Sequence, residues 1–468
     1  MDPSQAQVKV LFTTTHADIE LPEEKRQLLV PADIKRYGLS RIVNSESMLN
    51  SSTPIPLDFL VNGAFLRSSL AEHLTTHGLS PETTITLQYV PSLLPPVYEA
   101  SYEHDDWISD IDLWSSGSRA GSERLLSASY DRLLRVWDKS GSVLGTSAGA
   151  SAGGHAKRIN TARWLSGKRI ASAGIDSTVI VWDYSEATDG FSEGGKLKPV
   201  LELHGHTKQI NRLAVDSKTK RILTAGSDGC IGLFVASKDQ APAWEAERAS
   251  APAKRLKSSV TVAQRGALAM LSVHSDPAMQ AIFHPGDNTV AYSVSRDKTL
   301  LTLDLTTGRT VSSLTTLHPL LCVGALGVSS PLLAAGSSAR HISLLDPRES
   351  TAAPNVLTLR GHTNMVSAVA AAPGKDYALA SASWDGTVKI WDLRSVRPGS
   401  REEGGGSVSE PIFTIPREWL KGKKLPEAGE GAKVLALAWD DAWGLASGGE
   451  DKKVQLNTAG DLSLDKAE

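Results

Sequence analysis

LASASWDGTVKIWD, residues 379–392, is the stretch whose reading decides the fold. Small residues lead into an Asp-Gly turn at Asp385-Gly386, and an alternating strand follows that ends in Trp391-Asp392. The phrase returns almost intact as LLSASYDRLLRVWD (125–138) and IASAGIDSTVIVWD (170–183). Looser copies are ILTAGSDGCIGLF (222–234), AYSVSRDKTLLTLD (291–304), LAAGSSARHISLLD (333–346) and LASGGEDKKVQLN (445–457), which brings the total to seven. Each copy is strand, turn, strand, a unit that buries its apolar face only by stacking on a neighbour.

A histidine precedes most copies by one supersecondary unit. His104, His155, His206, His274 and His362 stand 21 to 27 residues ahead of Asp131, Asp176, Asp228, Asp297 and Asp385. With the terminal Trp-Asp, this pattern resembles the WD-repeat family, in which a repeat of about 40 residues makes one four-stranded propeller blade. The resemblance covers about four-fifths of the chain and implies a mainly β fold, a seven-bladed WD-repeat β-propeller over 97–458. Polar groups at a blade edge need partners, so the His, a strand Ser, the turn Asp and the Trp indole are expected to chain hydrogen bonds within a blade. In blade 6 these are His362, Ser381, Asp385 and Trp391; Trp137 and Trp182 serve blades 1 and 2. The same His/Asp pairs could be read as catalytic or metal-binding, but a pairing that recurs blade after blade marks architecture.

Blade 5 has Ala339 where the turn Asp belongs, and blade 7 has no upstream His, so packing and neighbour contacts are expected to hold both. An open ring would leave a bare strand edge, and residues 97–102 are the expected outer strand that completes blade 7. Turn Asp residues are 45 apart at 131 and 176, but 69 apart at 228 and 297 and 66 apart at 385 and 451. Two insertions follow, at about 235–270 and 397–432. The first carries Lys254-Arg255-Leu256-Lys257 among Ala, Pro and Ser, either a nuclear-localisation or RNA-phosphate patch or simply a solvated loop. The second, Gly- and Glu-rich around 401–406, reads as a flexible surface loop.

Residues 7–91 have a different grammar. An alternating strand (8–13), an extended piece (18–22, continuing towards 29), a helix after Pro31 and further strands at 57–61, 64–66 and 84–90 give the order β-β-α-β-β-β. Asn62-Gly63 between two of these is a two-residue hairpin signal. The order resembles the ubiquitin-like β-grasp, and 92–96 reads as a linker into the propeller. The phrases KRYGLS (35–40) and GLSPE (78–82) are similar to the N-terminal domain of a small family of nucleolar WD-repeat proteins that assemble the large ribosomal subunit. That resemblance implies a scaffold acting with pescadillo and the block-of-proliferation protein on the pre-60S particle. It further implies that one acidic side chain, here Glu82, reaches the Mg²⁺ adhesion site of the AAA-type ATPase midasin. An octahedral Mg²⁺ with an open position accepts a carboxylate from another protein.

Forty-nine Lys and Arg against 52 Asp and Glu give a net charge of −3, which argues against a whole-surface grip on nucleic acid or an anionic membrane and leaves room for a local basic patch. Two cysteines, Cys230 and Cys322, are too few for a disulfide framework or a zinc site, which suits a reducing compartment, nucleus or cytosol. The start has neither a basic nor an apolar signal region, and no 18-residue apolar run occurs, so a soluble, non-secreted chain is expected. On that ground the Asn50-Ser51-Ser52 glycosylation pattern is disregarded. No Walker loop, G-x-S-x-G elbow or H-E-x-x-H is present; His73 and His77 have helical spacing, but Leu74 stands where a Glu is needed. The last strand of the N-terminal domain runs into Pro91 rather than a Gly-Gly tail, which argues against a covalent modifier.

The expected function is therefore non-enzymatic, with no cofactor of its own, and nucleolar and nucleoplasmic. Residues just before the turn Asp should share one propeller rim: Tyr130, Arg296, Trp384 and Glu450, with Trp and Arg as interface anchors. There the block-of-proliferation protein would dock. Against this stands the reading that Trp384 folds onto its own blade. The alternative function, a ubiquitin-ligase substrate receptor, calls for an Arg-rich channel mouth, and these positions offer Arg296 alone. Residues 459–468 read as a tail.

Overall fold

The computed structural model describes residues 7–50, 53–80, 82–115, 123–186, 195–244, 262–327, 330–349, 355–401, 403 and 405–459. The Lys254–Lys257 run and the tail from 460 onward lie outside the described residues. The chain divides into two compact units, Met1–Leu94 with Asp392–Glu410, and Pro95–Trp391 with Pro411–Glu468.

The first unit runs β1 (Gln7–Thr13), β2 (Gln27–Pro31), α1 (Arg36–Val43), β3 (Leu57–Val61), β4 (Ala64–Phe65), α2 (Leu70–Thr76), β5 (Ile85–Pro91). Its five strands lie in the order β2-β1-β5-β3-β4, with β1 and β5 parallel. Alternation in β1 sends Val8, Val10 and Phe12 into the core, where they meet Leu39 and Val43 of α1 and Leu87 and Tyr89 of β5. The Tyr89 hydroxyl is satisfied inside this core, donating to Ile19 O (2.7 Å) and accepting from Leu21 N (3.1 Å). Asn62 and Gly63 both have positive φ (51° and 80°), as a type I′ hairpin between right-twisted strands requires.

Three features differ from the sequence reading. The extended piece at 18–22 is instead two short 3₁₀ turns, Ala17–Ile19 and Glu23–Lys25, and the second strand starts only at Gln27. Pro22 and the charged run after it offer no apolar alternation for a strand to use. A second helix, α2, is present, closed by a capping box in which Ser69 Oγ accepts from Glu72 N and Glu72 reaches back to Ser69 N. Finally, Asp392–Glu410, read as part of the propeller, belongs to this unit. Val396 N donates to Gly63 O (2.8 Å), Phe65 N to Ser395 Oγ (3.2 Å) and the Arg394 guanidinium to Pro91 O (3.0 Å).

In the second unit the described residues form seven four-stranded antiparallel sets, here blades 1 to 7. Their first strands are Ile108–Trp114, Ile159–Ser166, Ile210–Asp216, Ala278–Phe283, Leu320–Ala325, Val366–Ala372 and Val434–Asp440. Each first strand neighbours the next, and the seventh packs back on the first, so the ring closes. β6 (Pro96–Glu103) supplies the outer strand of blade 7, pairing Tyr102 with Val454 and Glu103 with Lys453. The ring is thus fastened between chain segments far apart in sequence. The residue after each turn Asp, or after Ala339, has positive φ: Arg132, Ser177, Gly229, Lys298, Arg340, Gly386 and Lys452. Seven like turns fix one register for all blades. Both predicted insertions take in outer-strand residues: the first ends inside Ala269–Ser272 of blade 3, and the second contains Pro411–Pro416 of blade 6.

Candidate functional site

Blade 6 carries an unbroken polar chain. Trp391 Nε1 donates to Ser381 Oγ (2.8 Å), Ser381 Oγ lies 2.7 Å from His362 Nε2, and His362 Nδ1 lies 2.7 Å from Asp385. An ionised carboxylate can only accept, so the ring proton sits on Nδ1 facing Asp385, and the Ser hydroxyl donates to the bare Nε2 while accepting from the indole. Burial lowers the His362 pKa. Burial alone would raise Asp385, but His362, Thr387 and Thr363 outweigh it and bring it to about 2. A neutral imidazole donating to an ionised carboxylate is the resulting state.

Blade 2 repeats the pattern with His155, Ser172, Asp176 and Trp182. His206 bonds Asp228 through Nδ1 and Thr224 Oγ1 through Nε2, and His274 bonds Asp297 and Ser293 Oγ in the same way. All four imidazoles are shut away from solvent and their partners are spoken for inside the blade, so none can meet a substrate.

Two blades depart from the expected pattern. In blade 1, His104 bonds Ser127 Oγ (2.7 Å) and Trp137 Nε1 donates to the same oxygen, but Asp131 pairs with Arg135 instead. His104 Nδ1 is left buried without a partner. Burial, then the Arg135 charge, push its pKa down to about 4. In blade 7 the missing His is replaced by a residue that the sequence reading passed over. Arg417, 1% exposed, grips Asp451 through Nε (2.7 Å) and Nη2 (3.0 Å), and also donates to Ser447 Oγ (2.8 Å) and Lys453 O (2.7 Å). A planar fork does the work of imidazole and hydroxyl together, so blade 7 is held by an ion pair and not by packing alone. Blade 5, with Ala335 and Ala339 at the Ser and Asp positions, leaves its upstream His318 exposed against His341.

Tyr130, Arg296, Trp384 and Glu450 come together. They line one depression of about 440 Å³ whose wall also includes Trp107, Met279, Leu321 and Met365. Trp384 is half-buried and faces the neighbouring blade, where Lys433 Nζ lies 5.5 Å from its ring and 3.8 Å from Glu450. The Arg158 guanidinium sits 4.5 Å from the Tyr130 ring centroid. Arg158 and Lys433 escaped the sequence reading because they precede the first strands, outside the repeated phrase. Arg296 is exposed, with no ion pair among the described residues. Aromatic faces with cations over them and thioethers beside them are the composition of an interface centre.

Beneath this depression the ring is clamped. Asp110 of blade 1, 1% exposed, accepts from Thr161 Oγ1 (2.7 Å) and Arg163 (2.6 Å) of blade 2 and Arg212 (2.7 Å) of blade 3. Arg212 extends to Leu435 O of blade 7 (2.8 Å). Burial would raise Asp110, and the two guanidinium groups lower it on balance. Neighbouring Asp112, buried with less compensation, is raised to about 6.

Glu82, in the first unit, is exposed on a turn where Thr83 N donates to Ser80 O (3.0 Å) and Glu82 N to Ser80 Oγ (3.3 Å). Its carboxylate forms no ion pair among the described residues, and Leu79 beside it is exposed as well. His73 of α2 and His77 just after it lie tilted against each other, 4.2 Å between centroids. Among the described residues no cluster of His, Cys, Asp and Glu could hold a metal ion.

Residues 8–74 match the model of the NLE (NUC135) domain, and 97–138, 150–183, 197–234 and 354–392 match the WD domain, G-beta repeat. The chain is 56% identical over 477 residues to the ribosome biogenesis protein ytm1 of Neurospora crassa, covering 97% of each. It is 57% identical over 478 residues to YTM1 of Chaetomium thermophilum, covering 97% of this chain and 96% of the relative. Identity to the Aspergillus oryzae ytm1 is 46% over 474 residues, with the same coverage.

Proposed function

We propose, from the premise that the chain belongs to the family of the ribosome biogenesis protein YTM1, that it is a non-enzymatic scaffold in large-subunit assembly. In this reading the propeller depression around Trp384 and Tyr130 holds the block-of-proliferation protein, and pescadillo joins the same complex on the pre-60S particle. The first unit offers Glu82 to the adhesion-site Mg²⁺ of midasin, which then pulls the chain off the particle. Nucleolus and nucleoplasm are the compartments where these steps occur.

The observation that carries the reading is Glu82 itself. A carboxylate already held by a local cation would have to break that pair before it could ligate a metal in trans. This one is exposed and has no such partner among the described residues, and it therefore carries little competing local interaction into the encounter. Magnesium takes hard oxygen ligands at an open octahedral position, which suits a single projecting carboxylate. The aromatic and cationic depression, in turn, suits a protein partner better than a small substrate.

Affinity purification of the tagged full chain tests both halves. The wild type should bring down large-subunit precursors with the block-of-proliferation protein, pescadillo and midasin. Glu82→Ala should keep the first two and lose midasin, and Glu82→Gln, which keeps shape and removes charge, should do the same. Undiminished midasin recovery with Glu82→Ala would overturn the metal-docking role; recovery of cullin or proteasome subunits in place of ribosomal precursors would overturn the scaffold reading.

A further inference from the structure

At the other end of blades 2 and 3 from the Trp384 depression, the turns joining first and second strands are strongly basic. Residues 166–169 and 216–221 hold five cations, Lys168, Arg169, Lys218, Lys220 and Arg221, against one acid, Asp216. That acid is occupied: it accepts from Lys218 N (3.1 Å), Thr219 N (3.2 Å) and Asn288 Nδ2 (3.2 Å). Asp183, which lines the same groove, pairs with Arg169 at 2.9 Å. Lys168, Lys218 and Lys220 are exposed and make no ion pair among the described residues.

The two turns do not merely sit on the surface. Lys168, Arg169, Lys220, Ser166 and Ser217 line one groove of about 460 Å³ between the blades. The blade ladders fix the spacing of the cations, since Lys168 O accepts from Tyr184 N (2.8 Å) and Lys220 O from Ala236 N (2.9 Å), equivalent bonds one blade apart. Lys220 holds a left-handed conformation (φ 55°) that glycine would adopt with less strain.

We infer that this groove binds the phosphodiester backbone of RNA. Its exposed chemistry is ammonium, guanidinium and hydroxyl, the groups that grip phosphate without reading sequence, with one carboxylate, Asp183, held by Arg169. The apolar and aromatic residues of the lining, Leu165, Tyr184 and Ala236, are buried. An acidic protein segment would need aromatic or aliphatic anchors at the centre of its site, and the groove presents none that is exposed. A second strand of six residues separates these turns from the Trp384 end, about 20 Å at strand rise. RNA and a protein partner could thus be held at once. The inference rests on the ribosome-assembly reading only for the source of the RNA.

Fluorescence polarisation of the full chain with a short labelled RNA duplex, titrated with NaCl between about 50 and 200 mM, tests the assignment. Each phosphate contact contributes about 0.7–0.9 to the log–log salt slope, so Lys168→Glu/Lys220→Glu should make the slope shallower by about 1.5. Lys220→Gly, which keeps the left-handed turn and removes only the cation, should account for about half of that. Lys298→Glu/Lys375→Glu, on turns elsewhere, should leave the slope unchanged. No RNA binding by the wild type, an equal loss in that control pair, or displacement of the RNA by poly-glutamate at equal charge concentration would each overturn it. These outcomes are independent of precursor recovery in the affinity purification, so this inference and the scaffold reading can fail separately.

Discussion

Replacing Arg417 with Leu separates a lock from a bystander in blade 7. The substitution removes two bonds to Asp451, two to Ser447 (Oγ and O) and one to Lys453 O. Asp451 keeps its burial, with a side chain only 6% exposed, and loses its counter-charge. Breaking a buried pair from one side costs about 3–5 kcal/mol, chiefly for the stranded charge. At roughly 1–2 °C per kcal/mol, extrapolated to a unit of this size, the melting temperature should fall by about 3–10 °C. The decisive comparison is Arg417→Leu/Asp451→Leu, which leaves no stranded charge and should recover more than half of the loss. Differential scanning calorimetry, supported by urea unfolding at fixed protein concentration, would measure both. A single variant within about 1 kcal/mol of wild type would show that Arg417 is only a surface-loop tether. A double variant as weak as the single would show that volume, not charge, is what Arg417 supplies.

His104 gives a pH signature of defined sign. Its folded-state pKa of about 4 lies below the 6.5 of an exposed imidazole, so the unfolded chain takes up the proton first as pH falls. Stability is full above pH 6.5 and declines towards pH 4, by about 3 kcal/mol for this residue. In His104→Gln, the slope of unfolding free energy against pH near 5 should flatten by about 1.4 kcal/mol per pH unit, and an unaltered slope in urea titrations would contradict the unpartnered, neutral ring. Asp110→Asn should destabilise the propeller by about 3–5 kcal/mol, because Arg163 and Arg212 are then buried together without their shared carboxylate. Arg212→Met in the same background should restore part of it, and strictly additive losses in calorimetry would deny the clamp.

The seven blades were legible in the sequence because a repeated unit imposes its grammar seven times. Even Ala339, which breaks the Asp rule, was placed by the phrases on either side of it. What remained illegible was whatever the repeat does not dictate. Arg417 lies in a Gly- and Lys-rich stretch with no periodicity, and its role depends on a fork reaching Asp451 across sequence distance. The first helical turn of α2 did have a local signal, Ser69 with Glu72 three residues on, and reading that capping box would have corrected the element order. Asp392–Glu410 parting from the propeller had none, since its bonds to Gly63, Phe65 and Pro91 span some 300 residues.

The same contrast governs the sites. The rim positions Tyr130, Arg296, Trp384 and Glu450 follow from register alone, because every turn Asp is preceded by a residue aimed at one end of the ring. Their partners Arg158 and Lys433 are set by the neighbouring blade, so they appear only when blades are stacked. The basic groove is an inter-blade property too, since neither Lys168 nor Lys220 is remarkable within its own repeat. In a propeller, each repeat determines its own fold, while the surfaces that recognise other molecules are written between repeats. A repeat-by-repeat reading therefore recovers architecture before function. Glu82 comes by neither route, since the resemblance of the phrase at 78–82 singles it out and no repeat does.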